Sequence, residues 1–476
     1  MFFSLIPLNY SLMTRIKPSR LCFWLLLFFL IGTAHLPAQS FQPNWPSLDA
    51  RPVPDWFVDA KFGIFVHWGV YSVPAWGPTD SAHVYAKYAE WYWKRIIDPE
   101  ERAHEEFAAY HAEHYGPSVT YPDFAPEFTA EHYDPAFWAD VFADAGARYV
   151  VMVSKHHDGY AMWPSQYSWN WNAGEVGPQR DLAGDLVDAV RAKGIRMGFY
   201  YSLYEWFNPL YLRDVDAYVD QHMLPQMKEL VNRYEPDIIW PDGEWVASDT
   251  TWRSTEFLSW LYNDSPVKDE VVVNDRWGAG GRSRHGGYYT TEYGLVESED
   301  GLQAEQYHPW EECRGIGGSF GYNRAENLEH YSSSAELIHI LARTVARGGN
   351  LLLNIGPTAD GRIPVIMQQR LADIGTWLSL NGEAIYGTRP WFDQLDQMGE
   401  EVLYTTKGDD LYVICLNWPS EGISLPLSQA PQAVSLLGYE GALSSRHKKG
   451  TLRIEAPQLA PGTLAAQSAW VFRVKR

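Results

Sequence analysis

From Trp56 to about Tyr386 the chain alternates compact apolar runs with amphipathic stretches. Short apolar runs bounded by turn residues are the pattern of parallel strands covered on both faces. Phe62–Val66, Tyr149–Val153, Arg196–Tyr200, Asp237–Trp240, Val271–Val273 and Leu351–Ile355 read as strands of this kind. Helical spacing lies between them. Asp181 opens one helix, with Leu182, Leu186, Val187 and Val190 on a shared stripe and Gly194 closing it. A second runs from about Glu336 to Arg347 and aligns Leu337, Ile340, Leu341 and Val345. Strand-then-helix repetition on this scale points to a barrel or a doubly wound sheet. The polar residues favour the barrel. His67-Trp68, His156-His157-Asp158, Tyr200-Tyr201, Asp242-Gly243-Glu244 and Asn274-Asp275-Arg276 all stand at or just after the C-terminal ends of predicted strands. In a (β/α)8-like TIM barrel those ends face one common site, whereas salt bridges and caps would scatter over both ends.

After Trp391 the pattern changes. Glu401–Thr405, Leu411–Leu416, Ile423–Leu427, Ala433–Leu437, Leu452–Glu455 and Ala469–Val474 are short, partly alternating, and separated by Gly, Pro and Ser turns, which predicts a C-terminal antiparallel β-sandwich. The expected division is a catalytic α/β barrel over 45–388 and a sandwich over 389–476. At the other end, Arg15, Lys17 and Arg20 precede the apolar stretch Leu21–Ile31, and Leu36-Pro37-Ala38 offers a small-residue cleavage site. Residues 1–38 therefore read as a signal peptide of a secreted or periplasmic protein. The apolar stretch is short for a membrane span of about 20 residues, and the mature form is expected to carry no membrane anchor.

The formal net charge of −21 argues against nucleic acid and anionic lipid as partners, since both attract Lys/Arg clusters. It also makes a highly sulfated polymer a poor substrate unless a local basic patch exists. The 22 Trp and 29 Tyr are many for 476 residues; their flat apolar faces with polar handles suit stacking on sugars, although an aromatic-rich core accounts for them equally well. Loss of the signal would remove Cys22 and leave Cys313 and Cys415, two distant cysteines that read as free thiols rather than a disulfide framework.

Asp242 follows the predicted strand Asp237–Trp240, where a barrel strand exits into its loop and a carboxylate is held rigidly enough to act on a sugar's anomeric carbon. Trp240, two residues earlier, shares its side of the strand. His67, His156 and His157 can either fix sugar hydroxyls or, with Asp158, hold a metal. Adjacent strand residues face opposite ways, so His156 and His157 chelate together only if the strand has already ended. A general acid must come from elsewhere. Glu292 reads as a loop residue among Tyr288, Tyr289 and Tyr293, whose apolar rings would raise a carboxyl pKa by desolvation. Asp275 and Glu311 compete with it; Arg276 beside Asp275 would lower that carboxyl and favour a salt-bridge role.

Several segments, in this order, resemble the α-L-fucosidases of glycoside hydrolase family twenty-nine: Trp56–Trp68, Glu90–Tyr92, Lys155–Gly159, Arg180–Asp185, Gly198–Ser202, Trp240–Trp245, Asn274–Gly278, Thr291–Tyr293, Ser319–Asn323 and Gly348–Gly356. The resemblance implies a retaining double displacement without metal or other cofactor, releasing terminal α-L-fucose from fucosylated glycans. It implies Asp242 as nucleophile and Glu292 as acid/base, with Asp275 as the rival for the second role. His67, Glu90, Trp91, His156, His157, Tyr200, Trp240 and Arg276 match sugar-pocket positions, and Phe320 matches the aromatic near the fucose methyl. The stretch 79–87 and the insert 95–118 depart from close relatives and are expected to shape the pocket rim. A fucose-binding, lectin-like protein on the same scaffold is the competing reading, and a homo-oligomer is compatible with either.

Overall fold

The structure is a computed structural model and describes residues 40–294, 307–460, 462–464 and 468–476. The expected signal peptide, residues 1–38, lies outside the described residues. Among the described residues no helix is long and apolar enough to cross a membrane.

The catalytic region is a TIM-like barrel of eight strands: β1 (Phe62–Val66), β2 (Tyr149–Lys155), β3 (Arg196–Ser202), β4 (Ile238–Asp242), β5 (Val272–Val273), β6 (Tyr289–Glu292), β7 (Trp310–Gly315) and β8 (Asn350–Ile355). Every pairing is parallel, and the order β5-β4-β3-β2-β1-β8-β7-β6 curls the sheet around so that its two edges face each other. The edges are stitched by isolated bonds rather than a ladder. Tyr288 N donates to Val273 O at 3.1 Å and Gly287 N to Asn274 O at 3.2 Å. A Cβ on Gly287 would lie 1.9 Å from Val273 O, so only glycine lets the backbones approach there.

The strands called from apolar runs are buried along their length because helices cover the outside while side chains fill the inside. The inward set includes Phe65, Val151, Val153, Tyr200, Ile238, Trp240, Val272 and Leu352, which form one continuous core. Helix α1 (Leu182–Ala192) starts at Asp181, whose carboxylate caps Gly184 N at 2.9 Å. Helix α2 (Ser334–Ala346) starts with a capping box between Ser333 and Glu336.

Two antiparallel sheets follow. One has the order β13-β16-β11-β10-β9, from β9 (Arg389–Pro390), β10 (Val402–Lys407), β11 (Asp410–Cys415), β13 (Ala433–Leu436) and β16 (Trp470–Lys475). The other has the order β12-β15-β14, from β12 (Ile423–Pro426), β14 (Ser445–Lys448) and β15 (Thr451–Ile454). Val413, Phe472, Leu425, Leu452 and Ile454 pack together between them, as a sandwich requires. Backbone carbonyls tie the sandwich to the barrel's helices: Trp377 Nε1 donates to Ala469 O at 2.9 Å, and His339 Nε2 lies 2.7 Å from Ser468 O. Cys313 and Cys415 are buried free thiols, in β7 and β11.

Candidate active site

The C-terminal strand ends open onto a cavity of about 690 Å3. Its lining includes all eleven residues expected there: Asp242, Glu292, His67, Glu90, Trp91, His156, His157, Tyr200, Trp240, Arg276 and Phe320. Phe65 lies in the same lining, and its ring centroid is 5.1 Å from Trp240 and 6.3 Å from Phe320.

Asp242 is the last residue of β4 and is 8% exposed. Arg276 Nη1 donates to its Oδ1 at 2.7 Å, and the Tyr200 hydroxyl donates to Oδ2 at 2.9 Å. Burial pushes this carboxyl up, but Arg276, followed by His157 and Arg282, outweighs it and holds the carboxyl below the ordinary aspartate value. Asp242 is therefore an ionised, oriented carboxylate.

Glu292 ends β6 and is not a loop residue. The Tyr88 hydroxyl donates to its Oε1 at 2.6 Å, and Arg276 Nη2 lies 3.5 Å from Oε2. One guanidinium thus touches both carboxylates. Arg276 is fixed by Nε donating to Thr290 Oγ1 at 3.0 Å and by lying 4.4 Å over the Trp240 ring. The tyrosines adjacent to Glu292 in sequence face elsewhere: Tyr288 stacks on Phe57, Tyr289 on His308, and the Tyr293 hydroxyl donates to Gly317 O. The hydroxyl that reaches Glu292 comes from a different loop, through Tyr88.

The rival carboxyls are occupied below the cavity. Asp275 is buried and accepts from Ser283 N (2.8 Å), Thr290 N (3.1 Å) and Thr290 Oγ1 (2.7 Å), which ties together the turn before β6. Arg276 pulls its carboxyl down as the sequence neighbourhood suggested, but burial outweighs that pull and raises it above the ordinary aspartate value. Glu311 is raised to about 7 by burial and accepts from Tyr149 Oη (2.6 Å) and Trp240 Nε1 (2.9 Å), holding the indole under Tyr200. Neither carboxyl belongs to the cavity lining.

The three histidines are neutral. Burial lowers His67 to about 3, His157 to about 4, and His156 well below its ordinary value. Two tautomers follow from the neighbours. Asn354 Nδ2 donates to Phe320 O (2.7 Å), so its Oδ1 accepts the His67 Nδ1–H at 2.7 Å and leaves Nε2 as an acceptor. Ser202 Oγ donates to Tyr204 O (2.5 Å), so it accepts the His157 Nδ1–H at 2.6 Å; His157 Nε2 then faces Asp242 Oδ2 at 3.7 Å. His156 Nδ1 is buried without a hydrogen-bond partner among the described residues, and the ring stacks on Tyr200. His156 and His157 share the cavity because β2 ends at Lys155 after a register shift, so strand alternation no longer separates them. Asp158 turns away to Tyr121 Oη (2.6 Å) and Tyr160 N (3.1 Å). Lys155 points outward into a buried pair with Glu205.

Glu90 and Trp91 arrive on the connection between β1 and β2. Glu90 Oε2 accepts from Gly321 N at 2.8 Å and Ser319 Oγ at 3.2 Å, and burial raises its carboxyl to about 7. Those contacts also place Phe320, whose ring lies 4.8 Å from His67 and 5.3 Å from Tyr88. From the expected rim insert, Arg95 is buried behind Trp91, donating to Arg102 O at 2.6 Å and Tyr85 O at 2.5 Å. Tyr85 and Glu244 line the cavity as the expected rim stretch 79–87 and the strand-end group implied, whereas sequence reading missed Tyr88, Trp245 and Arg282. Trp245 lies three residues after Asp242, which was the available signal; Tyr88 and Arg282 are brought in by loops without one.

Residues 29–383 match the family model described as alpha-L-fucosidase, and residues 394–475 match that of the alpha-L-fucosidase C-terminal domain. The tissue alpha-L-fucosidase of Homo sapiens is 45% identical over 97% of this chain and 98% of its own length. The alpha-L-fucosidase of Branchiostoma floridae is 44% identical over 95% of this chain and 99% of its own length. Among solved structures, the Thermotoga maritima alpha-fucosidase in complex with fucose is 36% identical with a TM-score of 0.73, covering 91% of this chain and 100% of that one. The same enzyme in complex with a mechanism based inhibitor gives 35% identity and a TM-score of 0.73, covering 92% of this chain and 100% of that one.

Proposed function

The chain belongs to the α-L-fucosidases of glycoside hydrolase family 29 and is a fucoside-hydrolysing enzyme, and from that premise we propose that Asp242 and Glu292 perform a retaining double displacement on terminal α-L-fucosyl residues. The fucosidase relatives set aside the lectin-like reading. The observation that carries the proposed mechanism is the single Arg276 guanidinium between two carboxylates at the ends of β4 and β6. Asp242, ionised and held from two sides, attacks the anomeric carbon while Glu292 gives its proton to the leaving oxygen. The ester on Asp242 is then cleaved by water that Glu292 deprotonates. Direct attack requires the two carboxyl groups to work about 5–5.5 Å apart across the sugar.

Arg276 couples the steps. Before attack its charge is matched chiefly by Asp242; once Asp242 is esterified, that partner is neutral and the guanidinium acts on Glu292 alone. The guanidinium thus stands beside Glu292 in the step in which Glu292 takes the proton of water. His67 Nε2 and His157 Nε2 present acceptors, and Tyr200, already bound to Asp242, holds the attacking oxygen in line. The Phe320 ring, with Phe65 below it, supplies an apolar wall for the 6-methyl group. Such a wall rejects a 6-hydroxyl by only roughly 10–200-fold, so weak hydrolysis of α-L-galactosides is expected. The basic, apolar and small-residue run of the first 38 residues supports export of the enzyme.

Proton NMR of the hydrolysis of an aryl α-L-fucoside tests the stereochemistry. The proposal requires α-L-fucose as the first product, with the β anomer appearing only as the sugar mutarotates. Initial release of β-L-fucose would overturn it.

A further inference from the structure

The turn after β4 brings a second carboxylate to the cavity, and neither step of the proposed hydrolysis uses it. Glu244 is 2% exposed and begins a single 3-10 turn, Glu244–Val246. Gly243 sets its position: φ there is 76°, and a Cβ would lie 2.8 Å from the Tyr204 Cβ, so the chain turns sharply and drops Glu244 into the cavity lining. Glu244 Oε1 accepts from Arg282 Nε at 2.6 Å, while Oε2 is buried and has no partner among the described residues. A buried carboxylate oxygen without a donor is costly, and such groups in a binding cavity mark where a ligand hydrogen bond is made. Trp245 follows directly. It is 41% exposed, where large apolar side chains are normally covered, and its ring lies nearly parallel to Trp91 at 6.4 Å. Arg282 lies 5.9 Å over that ring and extends Nη2 to 3.9 Å from Asp242 Oδ1.

An acceptor, a half-exposed donor and a flat apolar face therefore adjoin one another beside the nucleophile candidate. Hydroxyl groups, which both donate and accept, and the C–H face of a pyranose match that set. A negatively charged sugar would face the Glu244 carboxylate. We propose that Glu244, Arg282 and Trp245 form the recognition site for the neutral pyranose to which the fucose is attached, with a hydroxyl of that sugar donating to Glu244 Oε2. The assignment rests on the hydrolytic reading above.

Two measurements on the full chain test it. The first compares kcat/KM for a fucosyl disaccharide with kcat/KM for a 4-nitrophenyl fucoside, which lacks the second sugar, in the wild type and in Glu244→Gln. The ratio of disaccharide to aryl activity should fall roughly 10–150-fold, the loss expected for one hydrogen bond to a charged group. An unchanged ratio, whatever the absolute rates, overturns the proposal. The second uses wild-type enzyme and disaccharides deoxygenated singly on the second sugar. One deoxygenation should reproduce most of the loss and cost little further in Glu244→Gln; equal losses in both enzymes would also overturn it. Absence of aryl-fucoside hydrolysis in the wild type would refute the hydrolytic reading itself.

Discussion

Arg276→Met removes the guanidinium that joins the two carboxylates while keeping a side chain of similar length. Four contacts disappear: 2.7 Å to Asp242 Oδ1, 3.5 Å to Glu292 Oε2, the Nε bond to Thr290 Oγ1 at 3.0 Å, and the cation over Trp240. Burial alone raises the Asp242 carboxyl, and Arg276 is the strongest influence pulling it down. The sign follows directly: without Arg276 the Asp242 pKa rises, and more of the enzyme holds a protonated, non-nucleophilic Asp242 at mildly acidic pH. The acid limb of kcat/KM, which reports the free enzyme, should move to higher pH. On the plateau, the lost charge-assisted bond should cost roughly 10–150-fold. Leaving Asp242 with one partner fewer should also destabilise the fold, by at most about 3–5 kcal/mol. The depressed Asp242 pKa contributes stability at neutral pH that is lost as pH falls, so the stability gap to wild type should narrow in acid. Initial rates on 4-nitrophenyl α-L-fucoside across pH, with thermal melts of the same samples, supply the data. An acid limb that stays in place or moves to lower pH would refute the assignment of Arg276 as the group that keeps Asp242 ionised.

Glu292→Ala should lower hydrolysis of sugar-linked fucosides by about 10²–10⁴-fold while substrates with very good leaving groups lose far less. Asp275→Asn should instead lower the melting temperature, because Ser283 N, Thr290 N and Thr290 Oγ1 all bind that carboxylate, and should show no leaving-group dependence; if Asp275→Asn alone gives the leaving-group pattern, the acid/base assignment is wrong. Burial raises Glu90, Glu311, Glu312 and Glu326 to about 7 and Asp158 to about 6. Between about pH 4.5 and 7 these five carboxyls hold protons in the fold that the unfolded chain releases, which outweighs the opposite contribution of the three buried histidines His67, His156 and His157, so stability falls as pH rises through the upper part of that window. Melting temperatures measured by circular dichroism should be higher at about pH 5 than at about pH 7.5, and the opposite trend would show that these carboxyls are ionised in the fold.

The strands that could be read from the sequence are those whose inward and outward positions are both apolar. Phe62–Val66 and the Leu351–Leu353 run of β8 are of that kind, and helices cover them outside. β6 and β7 were invisible because their buried positions are polar: Thr291, Glu311 and Glu312 are all buried, and no apolar run betrays strands built as Tyr-Thr-Thr-Glu or Trp-Glu-Glu-Cys-Arg-Gly. Their side chains serve the cavity and its floor instead of a core, as Glu311 does beneath Trp240. The same gap explains why Glu292 read as a loop residue surrounded by Tyr288, Tyr289 and Tyr293, whereas the tyrosine that reaches it is Tyr88. The strand-end carboxylate and histidines were legible because a barrel gathers those ends. The loop-borne Arg282 and Tyr88 were not, since their place depends on connections with no periodic pattern.

A 2-deoxy-2-fluoro-α-L-fucosyl fluoride, which slows the second step more than the first, tests the proposed division of labour most directly. The enzyme should lose activity with time and gain one fluorofucosyl group per chain, found by peptide mass spectrometry on Asp242 and absent from Asp242→Ala. A label on Glu292 or Asp275, or an unlabelled Asp242 in an inactivated enzyme, would contradict the account.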